Sequence, residues 1–474
     1  MKPAFISISA ALLALLVIAA APEEKEKGKE GKGGGGKGGQ GQGAGPGGQV
    51  EPAVVPPYLF NVWLCRPGAD SVSLSVLAWQ DMEAFASYGE SAAALTQRSE
   101  VVKLTAGQSQ TILLGQLKPD TAYSYQLTYR IGGSEPVRDE VRGFHTQREP
   151  ASSFTFTMQA DSHLDMSTDV RVYQQTLANI LADKPDFMID LGDTTMVDKF
   201  GSFYTRSESQ YRAQRFYMGR VAHSVPILMV LGNHDGERGD REDMAKWSLG
   251  MRHNFFPNPT DGNDKHSYFA FEWGSALFVG LDPFWATTQR GNDNWGATLG
   301  EAQYRWLTKA LESSKAPLKF VFIHHLVGGL GKDVRGGVTP APFMEWGGKN
   351  ADESDGFKEH RPGWALPLHQ LFVKTGVSAI FHGHDHLFAK EELDGIIYQE
   401  VPQPGHPSGG TRSAEDYGYT GTILGSSGHV RVTVKPQQAK VDYVRSIVPG
   451  VTRDNIENGT VEHSYTIKPS ARRL

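Results

Sequence analysis

The chain has 474 residues, enough for two or three domains of ordinary size. Hydrophobic residues at 39% and aromatics at 10% are those of a folded protein with a large core, which excludes wholesale disorder and a polytopic membrane protein. A formal charge of -6 gives no broad basic field, so no nucleic-acid polymer is expected as a partner; the one cysteine, Cys65, excludes an internal disulfide or a thiolate cage, and any metal must be held by His, Asp and Asn.

Met1-Lys2 and the apolar run Ala4 to Ala21 predict a signal peptide over residues 1–21, with Ala19-Ala20-Ala21 supplying small side chains for cleavage. The run is short for a span, so the expectation is an exported protein, periplasmic or extracellular, with no integral membrane span after cleavage. Residues 22–49, Gly, Lys, Glu and Gln with Ala44 alone apolar, read as a flexible linker.

Residues 50–147 read as short strands between turn signals: Tyr58 to Leu64, Ser71 to Trp79, Val101 to Leu104, Gln110 to Leu114, Ala122 to Tyr129 and Gly143 to Thr146. This spacing predicts a small antiparallel sandwich. Leu117 to Tyr123 opens one strand with Tyr123 placed to bond back to the upstream turn, as in a tyrosine corner, and the segment resembles a fibronectin type III module. It holds no paired catalytic residues, so a structural or positioning role is expected.

From Phe154 onward apolar strands alternate with helical stretches: strands Phe154 to Ala160, Phe187 to Leu191, Ile227 to Leu231, Ala276 to Leu281, Phe320 to Ile323 and Ser378 to Phe381, with helices over Val170 to Leu181 and Glu301 to Leu311. This is an α/β pattern. Val430 to Val434 and Ala439 to Val444 alternate again and close a sheet, leaving 447–474 as a C-terminal tail.

The strand ends carry the chemistry: Asp161-Ser162-His163, Gly192-Asp193, Gly232-Asn233-His234-Asp235, His324-His325 and Gly383-His384-Asp385-His386. Open α/β sheets bind ligands there. Each fragment alone is weak, since a lone Asp after Gly is more often a turn residue. Five in this order, each after an apolar strand, point jointly to metal chemistry. In an extended backbone His384 and His386 would project to one side, roughly 6.5–7 Å apart, and reach neighbouring metals.

With these motifs residues 152–446 resemble the calcineurin-like metallophosphoesterase superfamily, and with a fibronectin-like sandwich in front the arrangement is similar to purple acid phosphatases. The resemblance implies a metallophosphoesterase-type β-sandwich flanked by helices and two metal ions per chain (Fe, Zn or Mn). It implies Asp161, His163 and His386 on the first metal and Asn233, His324 and His384 on the second, with Asp193 bridging. His325 is the alternative to His324, because Leu326 stands where the family usually has proline. His234 matches the family's general acid or phosphate-binding histidine, and Asp235 is read as its orienting partner. The tyrosine that colours purple acid phosphatases is replaced by Met196. The implied activity is hydrolysis of a small-molecule phosphate ester by attack of metal-bound hydroxide, phosphomonoesters favoured. The alternatives are a phosphodiesterase on nucleotides or glycerophosphodiesters, or a non-catalytic surface-binding protein. A serine hydrolase is disfavoured, because Gly425-Ser426-Ser427-Gly428 lacks the glycine spacing of a nucleophile elbow.

Long insertions, Val197 to Ser224, Gly236 to His266, Pro283 to Leu299 and Gly328 to Trp364, are expected to rim the pocket. In the last, Arg335 offers a phosphate fork and Trp346 a stacking face for substrate, against a reading in which Arg335 pairs with a carboxylate such as Glu345. The sequence leaves the oligomeric state open.

Overall fold

The computed structural model describes residues 55–258, 267–287, 294–327 and 336–469; the expected signal peptide, the linker and Arg335 lie outside them. Among the described residues, the first strands are β1 (Phe60–Cys65), β2 (Val72–Ala78), β3 (Met82–Gly89), β4 (Gln97–Arg98), β5 (Val102–Leu104), β6 (Ser109–Leu114), β7 (Ala122–Arg130) and β8 (Val137–His145). They form two antiparallel sheets, β1-β2-β6 and β4-β3-β7-β8 with β5 on β3. Val62, Leu74, Ile112, Tyr125 and Leu127 fill the space between them. The backbone N–H of Lys118 donates to Tyr123 Oη at 3.0 Å, which is the expected corner. Strand β3 was not expected from the sequence, although its residues alternate between buried and half-buried.

The rest of the chain builds β9 (Phe154–Gln159), β10 (Phe187–Asp190), β11 (Ile227–Met229), β12 (Phe269–Trp273), β13 (Ala276–Gly280), β14 (Leu318–Phe322), β15 (Ala379–His382), β16 (Phe388–Leu393), β17 (Ile396–Glu400), β18 (Thr422–Leu424), β19 (Gly428–Lys435), β20 (Gln438–Arg445) and β21 (Val461–Ile467). Its helices are α1 (Val170–Ala182), α2 (Glu208–Ala222), α3 (Glu242–Phe255), α4 (Gly300–Ser313), α5 (Met344–Gly347), α6 (Phe357–His360), α7 (Leu368–Thr375) and α8 (Arg412–Asp416). Two mixed sheets result, β11-β10-β9-β19-β20-β21 and β12-β13-β14-β15-β17-β16-β18. The stretch after 446, expected as a tail, thus supplies β21, paired antiparallel with β20.

The central strands are apolar on both faces because both are covered. Phe156, Phe187, Phe278, Phe320 and Phe381 interlock between the sheets. Outside one sheet, Leu307, Leu311, Leu368 and Phe372 of α4 and α7 pack on it. Outside the other, α1, α2 and α3 do the same, and there Trp63, Cys65 and Leu77 of the N-terminal sandwich join the same apolar cluster. Two of the expected insertions therefore contain helices, α2 and α3, that wall the core. Gly47–Leu474 is one compact unit, so the sandwich is docked on the α/β part. No helix of the described residues is long and apolar enough to cross a membrane.

Candidate metal centre

β9, β10 and β11 are parallel neighbours in one sheet, and β14 and β15 in the other, so the loops after them emerge side by side. Those loops carry Asp161, Asp193, Asn233, His324, His384 and His386. Four of these residues sit in left-handed backbone, with φ of 58° at Asp161, 51° at Asp193, 89° at His384 and 63° at His386. That conformation costs an L-residue roughly 1–2 kcal/mol, and surroundings that over-determine it are the mark of a functional site. The glycines before them are sterically required. A Cβ on Gly192 would lie 2.4 Å from the amide nitrogen of Gly232, and one on Gly383 would lie 2.6 Å from the Ala160 methyl.

Two groups of side chains converge. Asp161, His163 and His386 form one, and Asp193, His324 and His384 the other; within each, one donor atom per residue lies within 4.8 Å of the rest. In the first, His163 Nε2 and His386 Nε2 are 3.3 Å apart. In the second, His324 Nε2 lies 3.1 Å from His384 Nδ1, 3.1 Å from Asn233 Oδ1 and 3.3 Å from Asp193 Oδ2. The remaining nitrogen of His324, Nδ1, is 2.9 Å from the Leu191 carbonyl, which fixes the ring with Nε2 inward. Asp161 Oδ2 accepts from the His384 amide and Asp193 Oδ1 from the His234 amide, both at 2.8 Å.

The residues fit a pair of cations. Asp161 Oδ1 is buried without a hydrogen-bond partner, an expensive state for a carboxylate oxygen unless a cation faces it. Burial alone would raise both carboxyls, yet the facing imidazoles, His386 first for Asp161 and His324 first for Asp193, hold both below the ordinary carboxylate range. Burial likewise opposes a charged His324, and Asp193 outweighs it and pushes the ring up to about 10. The cluster therefore demands positive charge. Its donors are imidazole nitrogens, carboxylates and one amide oxygen, which suit borderline divalent metals.

The geometry corrects several expectations. His384 and His386 are not on an extended strand: β15 ends at His382, and a turn with both residues left-handed aims the two rings. Glu400 pins that turn, accepting from the Asp385 amide at 2.9 Å and lying 2.6 Å from His382 Nδ1. His324, fully buried, joins the cluster, whereas Nδ1 of His325 turns to the Leu326 carbonyl at 3.1 Å. Asp235 does not orient His234; its oxygens accept from the amides of Asp193, Thr195 and Gly232 at 2.8–3.0 Å and so join the loops after β10 and β11. The orienting carboxylate is Asp198, with Oδ1 2.7 Å from His234 Nδ1. Trp346 cannot stack on a substrate: it is 0% exposed, packs on Phe372 and donates its indole N–H to Tyr398 Oη at 2.9 Å. The carboxylate of Glu345 pairs with Arg361 at 2.5 Å.

Above the cluster opens a pocket of about 880 Å³, lined by His163, His234 and His386 and also by Lys199, His406 and Arg453. The last three escaped the sequence reading, because no strand end or glycine motif announces them. Met196 lines it too, in place of a tyrosine.

The calcineurin-like phosphoesterase family model matches residues 154–388. A comparison with curated proteins finds no match. Among solved structures, the fold is similar to that of PhoD, at 14% identity over 86% of this chain and 90% of that one, TM-score 0.64. It is also similar to purple acid phosphatase PPD1 from yellow lupin (Lupinus luteus) seeds, at 16% identity over 86% of this chain and 74% of that one, TM-score 0.57. Through residues 154–388, whose strand-end loops build this cluster, the chain belongs to the calcineurin-like phosphoesterase family and is a metal-dependent phosphoester hydrolase.

Proposed function

We propose that the protein hydrolyses small-molecule phosphate esters, monoesters favoured, at a binuclear metal centre. The observation that carries this reading is the pairing of two three-residue donor groups on adjacent loops at the floor of one open pocket. Asp161, His163 and His386 would hold one ion, Asn233, His324 and His384 the other, and Asp193 both. When bound, such a pair supplies Lewis acidity to a phosphoryl oxygen and acidifies water at neutral pH. Iron, zinc and manganese all suit the nitrogen and oxygen donors.

The chain's own residues do the rest. Asp198 holds His234 Nδ1, leaving Nε2, 3.8 Å from Asp193 Oδ2, directed at the centre. His234 lines the pocket, so a proton on Nε2 is placed to pass to the leaving oxygen. Burial opposes charge on this ring, but the Asp198 hydrogen bond and the Asp193 charge keep it protonated above the ordinary histidine range. We read residues 50–147 as a fibronectin type III-like module that braces the catalytic domain, which begins at 152 and takes in β21, and the protein as exported on its N-terminal signal.

The test is elemental analysis of the reconstituted protein, followed by turnover of a panel of phosphomonoesters, phosphodiesters and nucleotides. Two metals per chain and a monoester preference are expected. Preference for diesters would move the substrate class, and a metal-loaded protein inert on every ester would leave a binding protein.

A further inference from the structure

The far wall of the pocket is built by residues beyond the matched 154–388. It consists of the loop 404–411 and the loop that follows β20. The first is tied to α1 and the residue before it: Thr176 Oγ1 donates to the Pro404 carbonyl at 2.6 Å and the Asp169 amide to the Gly405 carbonyl at 2.9 Å. The second is tied to the first, the Arg453 amide donating to the Pro407 carbonyl at 3.1 Å. Buried Arg445 anchors it from behind, bonding the carbonyls of Ser426 and Ser427 at 3.1 and 3.0 Å and the carboxylate of Asp454. The backbone that carries Arg453 is therefore held at both sides.

What this wall presents is cationic and donating. Arg453 is exposed and lines the pocket, and among the described residues no carboxylate lies within ion-pair distance of it. His406 accepts the Ser408 amide on Nδ1 at 3.1 Å, so the neutral ring carries its proton on Nε2 and is a donor there. Gly409 and Gly410 line the same wall, where the main chain is bare of side chains. Lys199 also lines the pocket, but it acts on His234 at the opposite end, whereas Arg453 acts on His406 near His163 and His386. One cation thus stands on either side of the metal residues.

A single phosphoryl group seated on the metal centre would be neutralised there and has no need of Arg453. We infer that Arg453 and His406 form a second anion subsite that takes a second phosphoryl group of the substrate, so that the preferred esters carry at least two, as organic bisphosphates do. The planar guanidinium offers paired N–H donors to phosphoryl oxygens, and the His406 N–H adds a neutral one. This inference rests on the phosphoesterase reading above and narrows its substrate class.

The test compares fructose 1,6-bisphosphate, fructose 6-phosphate and 3-phosphoglycerate with the full-length, metal-loaded protein. The bisphosphate is expected to exceed the monophosphate in kcat/KM by about tenfold, Arg453→Ala to collapse that ratio, and Arg453→Lys to restore part of it. The same ratio in Arg453→Ala would overturn the subsite, and an equal advantage for 3-phosphoglycerate would overturn its phosphoryl character. Calorimetric titration of chelator-treated protein with the two fructose phosphates judges the subsite without turnover. Without the metals one phosphoryl group is enough to fill the subsite, so binding of either ester that Arg453→Ala abolishes supports it, and binding that is absent or unchanged in Arg453→Ala overturns it. Were no ester hydrolysed, the phosphoesterase reading would fall while this comparison still decides on the wall.

Discussion

Asp198 Oδ1 lies 2.7 Å from Nδ1 of His234, a carboxylate–imidazole pair that spans 36 residues of sequence and opens onto the pocket through Nε2. If His234 is the general acid, its alanine variant loses about 10²–10⁴ in turnover while keeping its metals. The acid works protonated, so activity falls as pH rises through its pKa. Burial depresses that pKa, and Asp198 together with the Asp193 charge more than compensates. Asp198→Asn should therefore move the alkaline limb of the kcat/KM profile to lower pH. A limb that stays in place in the variant would assign it to another group.

In the proposed centre Asp193, which groups with His324 and His384, also reaches the other ion, whereas Asp161 holds only one. Asp193→Ala should lower occupancy of both metals and Asp161→Ala chiefly that of one. Elemental analysis of the two purified variants reads this directly, and loss of a single metal in Asp193→Ala would show that the bridge lies elsewhere.

Met196 puts a thioether where a phenolate would give a charge-transfer band, and its backbone N–H is held by Gln210 Oε1 at 2.6 Å. Tyr204 does not substitute for it, since its ring packs on Trp247 with centroids 5.6 Å apart. The metal-loaded protein should show no intense visible absorption. A strong band bleached by reduction would contradict this and make Tyr417, which lines the pocket, the residue to replace.

The donor loops were legible because each follows an apolar strand and because Gly192 and Gly232 mark where main chains must touch, and Gly383 where the Ala160 methyl leaves no room for a side chain. What aims the donors was not legible. The left-handed pair His384 and His386 depends on Glu400, whose bond to the Asp385 amide crosses 15 residues and leaves no local pattern. Asp198 was hidden in a segment read as an insertion. Strand β3 escaped because its inward positions include Ala84 and Ala86, too small to give a strong alternation. Trp346 misled for the opposite reason: an aromatic among glycines reads as exposed, but α5 packs against α7 and encloses it.

Arg215 of α2 is fully buried where the N-terminal sandwich meets the α/β part. Its Nη2 donates to the Ser75 carbonyl at 2.7 Å, and its other nitrogens reach Asn61 Oδ1 and the Phe255 carbonyl. Burial lowers its pKa to about 9, which leaves it charged at neutral pH. Arg215→Ala would open a cavity and orphan these acceptors, a loss of about 2–4 kcal/mol. Because the same side chain bonds both parts, the melting curve of the variant should show the sandwich released before the rest. A curve that coincides with that of the unmodified protein would mean that the other contacts between the parts, such as Trp63 with Phe256 and Tyr125 Oη with the His223 carbonyl, hold them together without Arg215.

His429 on β19 is fully buried, its Nε2 2.8 Å from Asp183 Oδ2 just past the end of α1, and Arg431 Nη1 reaches the other oxygen at 2.7 Å. Burial and the Arg431 charge outweigh the attraction of Asp183 and hold its pKa below the ordinary histidine value. The ring is therefore neutral in the fold and takes up its proton on unfolding. Below the unfolded-state pKa of about 6.5 the unfolded chain binds more protons, so stability falls as pH falls, by at most about 1.4 kcal/mol per pH unit from this one group. Asp183, held below its own ordinary value, contributes its pH dependence only near and below the normal carboxylate range, outside this window. Urea unfolding at pH 5.0 and 7.5 should accordingly show less loss on acidification in His429→Gln than in the unmodified chain. A steeper loss in the variant would mean that His429 is protonated in the fold and paired as an ion with Asp183, the reverse of the sign argued here.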